Sequence, residues 1–195
     1  MSRDLRKLLL SVQRPARYVG GEPGHLRKDG ADLRVRFGLC FPDAYEIGMS
    51  HLGLKILYSR LNRNERIWCE RAFAPLPDME AALRRAGEPL TTLESGTPLA
   101  ELDVLGFSLQ HELCFTNVLL MLDLGRVPLK AEERDLAAPL VLAGGPTAFH
   151  PEPMAPFLDA VALGDGEDLA AEIGLLWVDA RDSCGTREAA LAELA

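Results

Sequence analysis

The sequence predicts a doubly wound α/β fold, a mostly parallel β-sheet with helices on both faces. Three observations carry the prediction. Short β-rich runs alternate with segments whose apolar residues recur at helical spacing. The runs are apolar almost throughout, as strands buried on both faces are. Glycine, proline and acidic residues punctuate their carboxyl ends, where the turns of βαβ units fall. A chain of 195 residues suits one large domain or one domain with an extension, and it is long enough to bury a core.

The stretch from Leu33 to Asn62 organises the rest. Leu33 to Phe41 reads as a buried strand, and Phe41 to Gly48 as a loop punctuated by Pro42 and Asp43. From Met49 the period changes. Met49, Leu52, Ile56, Leu57 and Leu61 recur at helical spacing, and His51, Lys55, Ser59 and Asn62 form the polar stripe. Before this unit, residues 1–32 read as an arm on the domain surface: a short helical start (Asp4 to Leu10), then a segment too rich in Pro and Gly for a regular element. After it, Ile67 to Arg71 is the second strand. Asp78 to Ala86 is a helix, with Asp78 as N-cap and Gly87 as its stop. Pro89 to Leu93 is extended. Asp103 to Leu109 is a strand, and Cys114 to Leu124 a helix closed by Gly125. Pro139 to Ala143 and Asp159 to Leu163 are further strands, and Asp168 to Arg181 the last long helix. The domain spans residues 33–183, and residues 184–195 begin a connector.

Composition removes several functions. Hydrophobic content of 48% and charged content of 26% are ordinary for a globular protein. A net charge of -8 argues against general nucleic-acid binding. No apolar run approaches a membrane span, since Leu119 to Leu124 is interrupted by Asp123. Leu8 to Leu10 is too short for a signal peptide, so a cytoplasmic location is expected. Cys40, Cys69, Cys114 and Cys184 are widely separated with no CxxC, which suits reduced thiols better than disulfides or zinc.

Four strand ends carry the candidate chemistry: Asp43-x-Tyr45-x-x-Gly48, Ser108-Leu109-Gln110-His111-Glu112, Gly144-Gly145-Pro146, and Gly164-Asp165-Gly166-Glu167. Parallel strands bring all four to one rim, where ligands of open α/β sheets bind. Glycines there let backbone approach a large flat or phosphate-bearing ligand, and helix N-termini beside them offer free N–H groups. Taken singly, each has a plain structural reading: Gly144-Gly145 a turn, Glu167 a helix-dipole partner, Ser108 a cap. The set of four points to a ligand. Gly164-x-Gly166 continues to Leu169, so the dinucleotide fingerprint fails at its third glycine. The chain contains no GxxxxGK[ST] P-loop.

The order DxYxxG, Ser-x-Gln, Gly-Gly resembles the cobalamin-binding fold, whose pattern is DxHxxG, Ser-x-Leu or Ser-x-Thr, then Gly-Gly. More narrowly, RPARYVGGE (Arg14 to Glu22), FPDAYEIGMSHLGLKILY (Phe41 to Tyr58), ERAFAP (Glu70 to Pro75), GFSLQHEL (Gly106 to Leu113), TNVLLMLDL (Thr116 to Leu124), AGGPTAFHPEP (Ala143 to Pro153) and GDGED (Gly164 to Asp168) resemble the N-terminal region of a subfamily of B12-binding-domain radical SAM proteins. The resemblance implies a flavodoxin-like sheet of about five parallel strands. It also implies an accessory domain for S-adenosylmethionine cleavage at a [4Fe–4S] cluster, covering the mouth of a radical SAM barrel in the same polypeptide. Asp43, Tyr45, Gly48, Ser108, Gly144 and Gly145 would line the corrinoid pocket, and Gly164, Asp165, Gly166 and Glu167 its neighbouring wall.

Two departures bear on this. Tyr45 stands where the family has its cobalt-ligating His, and a neutral phenol does not replace an imidazole nitrogen. Cobalamin then binds without a protein ligand from this loop, or it is not bound. His51, on the polar stripe, reads as solvated, His111 at a strand end is the better substitute, and His25 and His150 carry no specific signal. The chain also lacks the CxxxCxxC loop of the iron–sulfur cluster, so it is expected not to catalyse by itself and to precede a barrel domain. The alternative is a docking module for the barrel or a macromolecular substrate, without cofactor. A flavin or other nucleotide binder is a third reading, which the fold permits.

Overall fold

The computed structural model describes residues 7–194. Five strands form one sheet: β1 Val35–Phe41, β2 Ile67–Phe73, β3 Val104–Ser108, β4 Leu140–Gly144 and β5 Ala160–Val161. Their spatial order is β2-β1-β3-β4-β5, and every neighbouring pair is parallel. This is the doubly wound, flavodoxin-like order, in which the connections reverse direction between β1 and β3. The helices are α1 Tyr45–Ser50, α2 Leu52–Arg63, α3 Pro77–Ala86, α4 Phe115–Leu124, α5 Gly166–Ser183 and α6 Arg187–Ala192.

Side chains alternate across the sheet, so one strand serves two cores. On one face Val35, Phe37, Leu39 and Phe41 of β1 meet Leu54, Tyr58 and Leu61 of α2 and Trp177 of α5. On the other, Cys40, Ala72, Leu105 and Val141 meet Met79 and Leu83 of α3 and Val118 and Met121 of α4. Cys40, Cys69 and Cys114 are buried in these layers, and all four thiols are free.

The first crossover departs from the expectation. The chain turns helical at Tyr45, within the anticipated loop, and then breaks at His51, which is extended at φ −76° and ψ 117°. The break rephases the helix. Leu54, Tyr58, Leu61 and Asn62 are buried, whereas Leu52 and Ile56, expected inside, are exposed. Asn62, expected on the polar stripe, exchanges two hydrogen bonds of 3.0 Å with the backbone of Cys69. Asp78 is also inside its helix and not the N-cap, which is Leu76. Its carboxylate accepts from the N–H groups of Met79 and Gln13. Gly87 ends that helix in the left-handed conformation as expected.

Of the expected Asp4–Leu10 helix, residues 4–6 lie outside the described residues and residues 7–9 are helical. The rest of the arm is sewn to the β2 side. Trp68 Nε1 donates to Leu26 O, the Leu26 N–H donates to Tyr58 Oη, and Lys28 Nζ donates to the carbonyls of Asn62, Asn64 and Ile67. At the far edge, Asp159 is clamped between Arg134 and Arg187, at 3.0 and 2.7 Å, with its carboxylate wholly buried.

Candidate functional site at the strand carboxyl ends

A cavity of about 270 Å³ opens at the carboxyl ends of the strands, between the sheet and helices α2 and α5. Its floor is apolar: Phe37 and Leu39 from β1, Gly106 from β3 and Leu142 from β4. Gly106 is needed there, because a Cβ would sit 2.7 Å from the Phe37 ring. The helical wall is Gly53 and Leu57 of α2 with Gly166, Glu167 and Ala170 of α5. The rim is Ser108 and Gln110 after β3, Gly144, Gly145 and Pro146 after β4, and Gly164 after β5. Three strand-end motifs therefore converge on one hollow.

The glycines differ in what they do. Gly145 has φ +105°, and a Cβ there would lie 2.7 Å from Leu109 O, so this position is closed to side chains on two counts. The Leu109 N–H donates to Gly144 O, and Thr147 donates to Leu109 O through both its N–H and Oγ1, locking the β3 and β4 turns together. Gly144 is different: it has an ordinary φ, and a Cβ there would make only van der Waals contact with Ala162, at 3.7 Å, beside the cavity it lines. Ser108 Oγ accepts from Gln110 Nε2 at 2.8 Å. Glu167 and Gly166 belong to the first turn of the eighteen-residue helix α5, whose unpaired N–H groups begin beside the cavity. An ion pair of 2.8 Å between Arg60 and Asp168 joins α2 to α5.

The first motif lies elsewhere. Tyr45 turns toward β2, its ring edge-on to Phe73 at 5.6 Å and its hydroxyl donating to Glu22 of the arm. Burial, reinforced by Glu22, pushes the phenol up to about 12. Gly48 packs so closely on Phe73 that a Cβ would come within 2.2 Å of that ring. Neither residue lines the cavity, nor does Asp165. Asp43 lines a small neighbouring hollow with His111 and Cys114, where His111 Nε2 is 3.9 Å from Asp43 Oδ2. Among the described residues no cluster of three or more His, Cys, Asp or Glu side chains gathers for a metal ion.

His51, read from the sequence as solvated, is half-buried and lines the cavity. Its Nδ1 accepts the Leu54 N–H at 3.2 Å as the N-cap of α2. Its ring leans on Phe41 at 5.2 Å. Sequence rules for helix starts look for Ser, Thr, Asp or Asn, so a capping histidine two residues into the apolar period left no signal.

The rim is also apolar on its outside. Ile47, Leu52, Leu113, Phe149 and Leu163, all in segments after strand carboxyl ends, are between 52% and 86% exposed. No helix among the described residues is long and apolar enough to cross a membrane.

A family model described as the N-terminal region of radical SAM proteins matches residues 53–195. No curated protein and no solved structure matches the chain. The family match runs from the second residue of α2 through α6 and takes in three of the four strand-end motifs. The chain therefore belongs to the family of N-terminal regions of radical SAM proteins.

Proposed function

We propose that this chain is an accessory domain of a radical SAM enzyme that holds a corrinoid by its nucleotide tail, with no axial ligand from position 45. The observation that carries this reading is the glycine-walled cavity at the reversal of strand order. Its apolar floor suits a planar heteroaromatic base, and a volume of about 270 Å³, just below the usual range of ligand pockets, suits the tail of a large ligand and not the whole of it. The first turn of α5 offers N–H groups where a phosphate would lie. Gly144 lines the cavity without strain, so a larger side chain there would take up cavity volume. These features fit a nucleotide-bearing group. Position 45 does not fit a metal ligand, because Tyr45 is engaged by Glu22 and faces β2. When bound, the corrinoid would supply organometallic chemistry. The chain's own residues bind it, exclude water from its tail and present it at the rim. In this reading a cluster-bearing barrel of the same polypeptide faces the rim, and it alone holds the [4Fe–4S] centre and S-adenosylmethionine.

Titration with hydroxocobalamin, followed by visible absorbance and co-elution on gel filtration, tests the reading. The expected result is stoichiometric binding that Gly144→Leu abolishes. No binding at high micromolar cobalamin overturns it.

A second reading, a docking module without cofactor, is favoured by the exposed apolar residues of the rim. Exposed apolar patches mark interaction surfaces, and Leu113 and Phe149 are well placed for a barrel domain or a macromolecular substrate. The two readings separate by colour. A corrinoid-loaded preparation is pink to orange, a flavin-loaded one is yellow, and a docking module is colourless.

A further inference from the structure

We infer that His51 reads the ligand in the cavity as a hydrogen-bond donor through Nε2, and that it is not a metal ligand. This rests on the reading of the cavity as the seat of a nucleotide tail.

The ring is held from three sides. Its Nδ1 accepts the Leu54 N–H at 3.2 Å, its face leans on Phe41 at 5.2 Å, and Gly53 leaves the space it occupies. A Cβ on Gly53 would lie 3.0 Å from His51 Cε1, so any other residue there would crowd the ring. His51 is itself one of the residues that line the cavity. An imidazole that accepts at Nδ1 in its neutral form carries its proton on Nε2. That nitrogen has no hydrogen-bond partner among the described residues. Coordination to a metal would need the Nε2 lone pair, and freeing it would move the proton to Nδ1 and break the cap of α2. The same constraint makes His51 a donor of fixed orientation. Most of the cavity is apolar, and Ser108 and Gln110 already bond to each other. The Ser108 hydroxyl keeps its own proton on the β3 side and the first turn of α5 offers N–H groups, so on the α2 side a ligand oxygen meets the Nε2–H of His51 as its side-chain donor. The class of acceptor is a ribose or phosphate oxygen, because the apolar floor takes the base.

The full chain, titrated in parallel with hydroxocobalamin and with dicyanocobinamide, which lacks the nucleotide, tests this. His51→Asn keeps an N-cap residue, so the fold is expected to persist, and a circular-dichroism melt verifies it. His51→Gln serves as the second variant. The expected result is an affinity for hydroxocobalamin weakened on the order of tenfold, as loss of one hydrogen bond in a buried site does, with cobinamide affinity unchanged. Equal weakening for both corrinoids, or none for either, overturns the role of His51 while leaving cobalamin binding by the wild type in place. A wild-type chain that binds cobinamide as tightly as cobalamin also overturns it. If the wild type binds neither, the corrinoid reading fails and the role of His51 with it. Paramagnetic resonance of the cob(II)alamin-loaded protein grown on ¹⁵N-histidine is expected to show no change in nitrogen splitting. A change would make a histidine a ligand and sink the donor assignment for His51 if His51→Asn removes it.

Discussion

A phenol held by a carboxylate offers cobalt little, and the position of Tyr45 matters as much as its chemistry. Its backbone opens α1 on the β2 side, away from the cavity, so restoring imidazole there does not restore a ligand. If the chain holds cobalamin as proposed, Tyr45→His is expected to leave its spectrum unchanged, and new nitrogen coordination would contradict this placement. The phenol also has a pH signature. Burial holds Tyr45 and Tyr58 at about 12, against 10.0 for the free side chain. Above 10 the unfolded chain releases these protons first, so the folded state binds more protons and stability falls as pH rises. The contribution is complete below 10 and is lost as pH passes through 12. Tyr45→Phe is expected to lose less Tm than the wild type between about pH 9 and about pH 11. Equal losses in scanning calorimetry would contradict it. Gly144 and Gly145 look alike in sequence and act differently. A side chain at Gly145 strains the turn, whereas a Cβ at Gly144 meets Ala162 at ordinary contact distance, so Gly144→Leu narrows the cavity without straining the turn.

At the scale of the element, the break at His51 decides which residues of α2 are buried. Leu54 is 1% exposed and Leu52 is 70% exposed, although the two stand one apolar residue apart in the sequence pattern. Leu54→Ala is expected to cost roughly 2–5 kcal/mol in urea unfolding, the range for large-to-small core changes. Leu52→Lys and Ile56→Lys should stay within about 0.5 kcal/mol, as exposed substitutions do. The reverse ranking would mean that α1 and α2 form one continuous helix. Gly48→Ala should destabilise by roughly 1–3 kcal/mol, because α1 cannot approach Phe73 with a methyl group between them.

Across the whole molecule, the sheet holds its rim in place from the opposite end. Asp159, just before β5, accepts from Arg134 and from Arg187 of α6, and Arg187 also donates to the carbonyls of Asp135, Ala138 and Pro139. Arg187 lies over the Trp177 ring at 5.0 Å, which ties α6 to α5. Removing one partner leaves buried charge uncompensated, so Asp159→Ala is expected to cost roughly 3–5 kcal/mol. An unchanged urea midpoint would show that the clamp contributes nothing. Because β5 has only two residues in the ladder, its position and that of Gly164 depend on this clamp.

The sequence by itself determined the architecture. Strands buried on both faces are apolar nearly throughout and end in glycine, proline and acidic residues, and those are local properties that survive without knowledge of contacts. That Ser108, Gly144, Gly145, Gly164, Gly166 and Glu167 would gather at one hollow was legible for the same reason, since parallel strands bring their carboxyl ends to one rim. Only the tertiary structure decided where Asp43, Tyr45, Gly48 and His51 stand. Their placement turns on a helix break of one residue, a capping bond from the Leu54 N–H to His51, and the contact of Tyr45 with Glu22 of the arm, 23 positions earlier in the chain. Helical periodicity averages over several turns and cannot register a break of one residue. Hydrogen bonds between distant segments leave no periodic trace in sequence at all.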